Sequence, residues 1–472
     1  MEKNKKLLAE CRRHWDGMAS FRSRRRLCMD YAYGRQWGRE LVLHNGRVVT
    51  EGQYMAEQGN VPITNNLTRQ LIKTVVGKWR YLCSMRDTGE GGEEASFRRA
   101  LAASSPEGMN DARALEEFLI SGFVAQRVTP AGVVNISPSR VFLSHCERED
   151  ISDCRMLGVL HDMPVTEMLR RFSRGGNRRF AELAALAHRL ASREDTPLFA
   201  ERKDVQFDIA AGGKVRVVEV WRRTPRSLLR IHDLENGTYV AAGGDDGTRG
   251  RIRDLNIRRA AEGREALLCL PDVADVWQHA WLTAEGDVLD SEVLPEGARP
   301  SLAVRCYPMI DGEIHSLVED VMSQQHYVNR LVSLLDEVLR FSAKGVLLFP
   351  TDQLPVGMDW KGMRQLWGKP GSIIPFVRNS KNITPVQIDS GGTSAGASEM
   401  LKMQLDLFGK ISGTAFAGDG KGVNANSADM LRRQMENEMV SLLDILASFQ
   451  AFIGYRDTLR GDGKGVCDAA QQ

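Results

Sequence analysis

The sequence predicts an α+β fold, and three observations predict it. Apolar residues recur at three-and-four spacing over long stretches of the C-terminal third, the pattern of amphipathic helices. Two Asn-Gly pairs, Asn45-Gly46 and Asn236-Gly237, sit between apolar arms. That is a hairpin signal, because both central turn positions need positive φ. Short β-like runs and helical stretches mix through residues 111–300 without an internal repeat.

Residues 3–33 read as a helix with Leu7, Cys11, Trp15, Met18 and Phe21 along one face. The first 50 residues hold 12 Lys and Arg against five Asp and Glu, densest at Arg22, Arg24, Arg25 and Arg26. This basic stretch is either a contact for DNA or an acidic partner, or a solvated helix face. Tyr31 to Trp37 is an aromatic turn, and Leu41 to Val49 the first hairpin. Gly59 to Leu67 opens a helix over Thr68–Leu82, with one of the Asn residues as N-cap. Gly89 to Ser105 is a polar Gly/Ser-rich loop, and Asp111 to Ser121 a helix. β-like runs follow at 125–129, 133–136 and 141–143. Met163-Pro164-Val165 starts a helix, and Arg178 to Leu190 is another. Val215 to Arg223 is a strand, and Tyr239 and Val240 lie on the far arm of the second hairpin. Gly243 to Gly250 is a loop, Val273 to Leu282 carries two tryptophans, and 289–300 leads into a long helix.

That helix spans Glu313 to Ser342, with Ile314, Leu317, Val318, Val321, Val328, Leu331, Leu335, Val338 and Leu339 as its apolar stripe. Gln324 and Gln325 interrupt the stripe. A break at Lys344-Gly345 precedes the apolar run Val346–Phe349 and a proline-punctuated segment to Gly392. Helical spacing returns with Leu401, Leu405, Phe408 and Ile411. A glycine-rich loop, Ser412 to Asn426, leads to a last helix with Leu431, Met435, Met439, Leu442, Leu446, Phe449 and Ile453.

The chain has 472 residues, 42% hydrophobic and 26% charged, an ordinary balance for a globular protein of about two to four domains. A net charge of +2 advertises no global field for nucleic acid. No apolar run approaches a membrane span, and the N-terminus lacks the apolar stretch of a signal peptide. Eight scattered cysteines fit free thiols in a reducing compartment. His145, Cys146, Cys154 and His161 suggest zinc, but their spacing fits no common finger. Gly418-Asp419-Gly420-Lys421-Gly422 suggests a phosphate loop, yet Ala415 and Gly422 replace the required Gly and Ser/Thr, and a helix precedes. Asp311, Glu313, Glu319 and Asp320 suggest a metal nuclease, but carboxylates at a helix start also simply favour its dipole. No catalytic residues, cofactor or metal site is assigned.

Two helices flanking a small module, then a glycine-rich loop and a long helix, resemble the core of tailed-bacteriophage portal proteins, the head-to-tail connectors, of podovirus or prophage type. The residues agree: Asp311-Gly312-Glu313-Ile314, Gln324-Gln325-His326-Tyr327-Val328-Asn329-Arg330, Ser342 to Leu347, Ile411-Ser412-Gly413 and Arg456-Asp457. So do the aromatic-Gly-x-Gln-Trp turn, the hairpin, the Pro62-Ile63 helix start and Gly77-Lys78-Trp79-Arg80. The resemblance implies a wing over 1–310, stem helices over 311–345 and 394–411, and a clip over 346–393. It further implies a tunnel loop over 412–426, a long helix over 427–457, and a short tail over 458–472 in place of a larger crown. Its implied role is a ring at one capsid vertex, about twelve copies of the chain, through which double-stranded DNA passes in packaging and ejection. The implied partners are the terminase large subunit, major capsid and scaffold proteins, and tail or adaptor proteins, with no membrane. The implied setting is the virion, with assembly in the host cytoplasm. Leu317, Val321, Val328, Leu331, Leu335 and Val338 are the expected subunit interface. Ser412, Gly413, Thr414, Gly418, Asp419, Gly420, Lys421 and Gly422 are the expected channel residues. Two other readings stand beside it: a metal-dependent DNA-processing enzyme, and a helical scaffold or adaptor unrelated to phage.

Overall fold

The computed structural model describes residues 4–58, 60–86, 106–173, 176–191, 205–210, 212–342, 346–355, 357–368, 374–377, 384–388, 394–413 and 440–469. The chain begins with helices α1 (Lys5–Gly17) and α2 (Ala19–Ala32), strands β1 (Glu40–Val42) and β2 (Val48–Thr50), and helices α3 (Glu51–Glu57) and α4 (Leu67–Arg86). Next come α5 (Pro106–Ser121), β3 (Phe123–Thr129), β4 (Gly132–Asn135), β5 (Val141–Leu143), β6 (Met156–Met163), α6 (Val165–Phe172) and α7 (Asn177–Ala191). Then follow β7 (Val215–Asp233), β8 (Thr238–Gly243), α8 (Asp246–Ala261), β9 (Leu268–Thr283), β10 (Val288–Val293) and β11 (Leu302–Cys306). The chain continues through β12 (Met309–Ile310), β13 (Glu313–Ile314), α9 (Leu317–Ser342), β14 (Val346–Leu348), α10 (Trp360–Gly368), β15 (Val386–Ile388), α11 (Ser394–Ser412) and α12 (Leu443–Ala469). Among the described residues no helix is long and apolar enough to cross a membrane.

Two compact units result, one of residues 1–26, 75–317 and 443–472, the other of 27–74 and 318–442. In the first, a six-stranded sheet runs β10-β9-β7-β6-β5, with β8 beside the far half of β7, and a three-stranded sheet runs β11-β3-β4. The near half of β7 is an almost unbroken apolar run, Val215, Val217, Val218, Val220 and Trp221, all buried. Such a run suits a strand covered on both faces. Leu7, Cys11 and Trp15 of α1 pack with Val218, Val220 and Leu282. Met168, Phe172 and Leu183 of α6 and α7 pack with Val215, Val217 and Trp281. A third cluster joins Phe21, Phe123, Trp221, Val304 and Cys306.

Several elements differ from expectation. The N-terminal helix breaks at Met18, whose N–H turns back to the Trp15 carbonyl at 3.1 Å. Of the four residues weighed for zinc, only His161 lies on a strand, β6. The loop expected at 243–250 becomes α8 from Asp246 on, because Asp245 caps it, its carboxylate accepting from the Thr248 N–H at 3.1 Å. α9 starts at Leu317 rather than Glu313, since Met309 and Ile310 pair with Ile314 and Glu313 across a turn in which Asp311 has φ 52° and Gly312 φ 78°. The last helix runs past Asp457 to Ala469 rather than giving way to a tail, and its expected beginning, 427–439, lies outside the described residues, as does the loop expected at 89–105.

One glycine is obligatory. Gly122, at φ +67°, ends α5 with its N–H on the Phe118 carbonyl at 2.8 Å. A Cβ there would run into the His315 backbone carbonyl. Gly122→Ala is expected to cost about 3 kcal/mol, combining left-handed strain with a clash against backbone. A lowered melting temperature of the purified variant checks it; an unchanged one would remove this junction from the fold's requirements.

In the second unit, Thr50 and Gln53 make a capping box at the start of α3. The Trp37 indole N–H donates to Thr64 Oγ1 at 2.9 Å, and its ring lies 5.8 Å from that of His326. β14 and β15 pair from Val346↔Ile388 to Leu348↔Val386, joining the two ends of the module that carries α10.

Candidate functional site

Helix α9 has two faces. Leu317, Val318, Val321, Val328 and Leu331 are buried, and among them Gln325, Asn329 and Ser333 recur one turn apart, also buried. These three side chains satisfy the extended backbone that leads into α4. Gln325 Oε1 accepts from the Thr68 N–H at 3.0 Å, and Gln325 Nε2 donates to the Asn65 carbonyl at 2.6 Å. The Asn65 N–H donates to Asn329 Oδ1 at 2.9 Å and the Ile63 N–H to Ser333 Oγ at 3.0 Å. Asn66 is the N-cap expected from the sequence. Its Oδ1 accepts from the Arg69 N–H at 2.8 Å, and its Nδ2 donates to the Ala32 carbonyl at 3.0 Å. Beside this row, burial holds the His326 imidazole below its ordinary pKa, against the pull of Glu51.

Gln325→Leu keeps the bulk and removes both hydrogen-bonding groups, stranding a buried donor and a buried acceptor. It is expected to cost about 2–3 kcal/mol. Amide hydrogen exchange at Thr68 should accelerate, and unchanged protection there would dismiss the row as ornament.

The opposite face of α9 presents Asp320, Ser323, Tyr327, Arg330 and Leu334, with Tyr327 41% and Leu334 46% exposed. Four of the expected interface residues, Leu317, Val321, Val328 and Leu331, are therefore packed inside the chain. Leu335 and Val338 are half-buried. On α11, Phe408 is buried while Met400, Met403, Leu405 and Ile411 are exposed.

Of the expected channel residues, Ser412 is buried, its hydroxyl donating to the Gly409 carbonyl at 3.2 Å. Gly413 ends α11 at φ +67°. The Ser441 hydroxyl donates to the Gly413 carbonyl at 3.1 Å, so the chain leaves at 413 and is back at the same place by 441. Thr414, Gly418, Asp419, Gly420, Lys421 and Gly422 lie outside the described residues.

The first unit holds a buried charge cluster that the sequence did not reveal. Glu219, 1% exposed, forms an ion pair with Arg127. It also faces Nε2 of His161 at 2.8 Å and Nε2 of His279 at 3.0 Å. His279 stacks on Trp221, centroids 4.8 Å apart, and its Nδ1 meets Glu292 at 2.9 Å. Burial, reinforced by Arg127 and Arg171, pushes the His161 imidazole down to about 3. Burial also pushes His279 down, against its hydrogen bond to the Glu292 carboxylate, and brings Arg127 to about 10. In the sequence Glu219, like Arg216, is a charged residue in an apolar strand run.

The four residues weighed as zinc ligands do not converge. His161 belongs to this cluster, while Cys154 Sγ donates to the Met156 carbonyl at 2.9 Å and His145 is exposed. The four carboxylates weighed for a nuclease divide between the β12–β13 hairpin and the first turn of α9. Among the described residues no group of three or more His, Cys, Asp or Glu is placed to hold a metal ion. Arg456, whose Arg-Asp pair the sequence singled out, is buried against Asp111 and donates to Gln126 Oε1 at 3.1 Å. It thereby fixes α12 on α5 and β3.

Residues 125–470 match the family model described as phage P22-like portal protein. No curated protein matches the chain.

Proposed function

The chain belongs to the phage P22-like portal protein family, and from that premise we propose which of its parts do the work of the ring. It is a phage portal ring protein, a head-to-tail connector of the capsid vertex that acts in DNA packaging. Portal proteins are structural, with capsid, terminase and tail proteins as their partners in general.

In the proposed assignment about twelve copies close the ring, residues 1–310 serve chiefly as wing, and 346–393 as clip. The clip docks the terminase large subunit during packaging and tail or adaptor proteins afterwards. Assembly takes place in the host cytoplasm, with scaffold and major capsid proteins around the wing. The subunit contact runs over Tyr327, Leu334, Leu335 and Val338 of α9, the part of the stem that the chain itself leaves open. No catalytic residue, cofactor or metal is required for these roles.

Residues 412–426 form the tunnel loop, with Lys421 touching phosphates singly so that DNA slides. The observation that supports this is the Ser441–Gly413 hydrogen bond, which brings the chain before 414 and the chain at 441 together at the end of α11.

Two experiments test the reading. Negative-stain images of the purified protein should contain closed rings with a central channel, and monomers alone at micromolar concentration would count against it. Deleting Gly418 to Gly422 should leave rings intact and lower the yield of DNA-filled heads, whereas normal packaging and retention would reduce the loop to a connector.

A further inference from the structure

Helix α8 lies beside the far half of β7 and the start of β9 and leaves a groove of about 540 Å³. Its floor is apolar: Leu229, Ile252, Leu267 and Cys269, with Ile257 standing 63% exposed on the rim. Arg249 and Arg253 sit one turn apart on the same rim, and no carboxylate is among the lining residues. Neighbouring arginines are treated differently. Arg259 makes two bonds of 2.9 and 2.8 Å to Asp233, Arg264 meets Glu235 at 3.0 Å, and Arg230 meets Asp272 at 2.7 Å. Among the described residues Arg249 and Arg253 have no such acid.

We propose that this groove docks an acidic segment of another protein, with carboxylates on Arg249 and Arg253 and an apolar side chain on the Leu229–Ile252–Leu267 floor. Charge complementarity selects this occupant. Guanidinium pairs grip carboxylates in two-pronged fashion, and a peptide helix places acids one turn apart with apolar residues between them. A DNA backbone would meet the arginines but leave the aliphatic floor unfilled. The inference concerns a surface outside the stem and loop, and it stands apart from the ring assignment.

The probe is a fluorescein-labelled peptide of about 14 residues with Leu and Glu at helical spacing, titrated by anisotropy onto the full-length protein. It should bind at least about tenfold more tightly than versions with Lys for Glu or Ser for Leu. Arg249→Glu/Arg253→Glu should weaken it by at least about tenfold while ring images stay unchanged. Equal binding by the double variant, or by the Ser version, overturns the proposal. Displacement by an equimolar DNA duplex overturns it in favour of a nucleic-acid surface. Loss of rings in the double variant overturns it in favour of a contact between copies. Absence of rings in the wild type would fail the portal-ring test alone, because peptide binding is read separately.

Discussion

Glu219→Ala is expected to destabilise the first unit by about 3–5 kcal/mol, the cost of leaving a buried charge without its partner. Arg127 is only 12% exposed at its side chain and would keep its charge with no carboxylate beside it. The two imidazoles would lose their shared acceptor at 2.8 and 3.0 Å. Thermal melts should show a drop on the order of 10 °C, since about 1 kcal/mol shifts a domain of this size by about 2–4 °C. A double replacement, Glu219→Leu with Arg127→Met, removes both charges and should recover most of the loss. A single variant as stable as wild type would mean that the cluster is solvated. The same cluster sets a pH dependence. His161 is held neutral in the fold down to about 3, whereas its ordinary value is 6.5. Between those values the unfolded chain takes up a proton that the folded chain refuses. Stability is thus complete above pH 6.5 and falls as pH drops toward 3, by up to about 1.4 kcal/mol per pH unit. His161→Gln should flatten that slope in urea titrations run across the interval.

The second large effect is on assembly. Leu334→Asp is expected to abolish rings while leaving the melting temperature of the subunit nearly unchanged. Leu334 is 46% exposed in the single chain, so an aspartate there is solvated until a neighbour covers it. Covering it would strand the charge, and several kcal/mol lost at each repeated contact is enough to prevent closure. Leu331→Asp should behave differently. At 7% exposure it sits inside the chain, so this variant should lose its fold, and rings with it. Mass photometry beside a thermal melt separates the two cases. Rings in Leu334→Asp would move the subunit contact off this face.

The pattern of legibility follows from what sequence encodes locally. Asn65-Asn66, the Asn-Gly turns and the stem stripe were readable because caps, turns and periodicity are short-range properties. The direction of the stem stripe was not. An apolar face looks the same whether its cover comes from the same chain or from a neighbour, so Val321 and Val328 read as an interface although the chain itself covers them. Gln325 looked like an interruption because its partners, Asn65 and Thr68, lie about 260 positions away. Glu219 meets Arg127, His161 and His279 only once four strands of two sheets are in place. The glycines at 243, 244, 247 and 250 suggested a loop, and the capping carboxylate of Asp245 outweighed those that fall within α8.

The first unit is stitched from three separated stretches, and Arg456 of the last one docks on Asp111 and Gln126, more than 300 positions earlier. That arrangement imposes an order on synthesis. At about 5–20 residues per second, the site on α5 and β3 waits on the order of tens of seconds for its helix to leave the ribosome. Contacts so distant in sequence also make for slow closure. A nascent chain therefore lacks a finished first unit until the stretch around Arg456 has emerged from the ribosome.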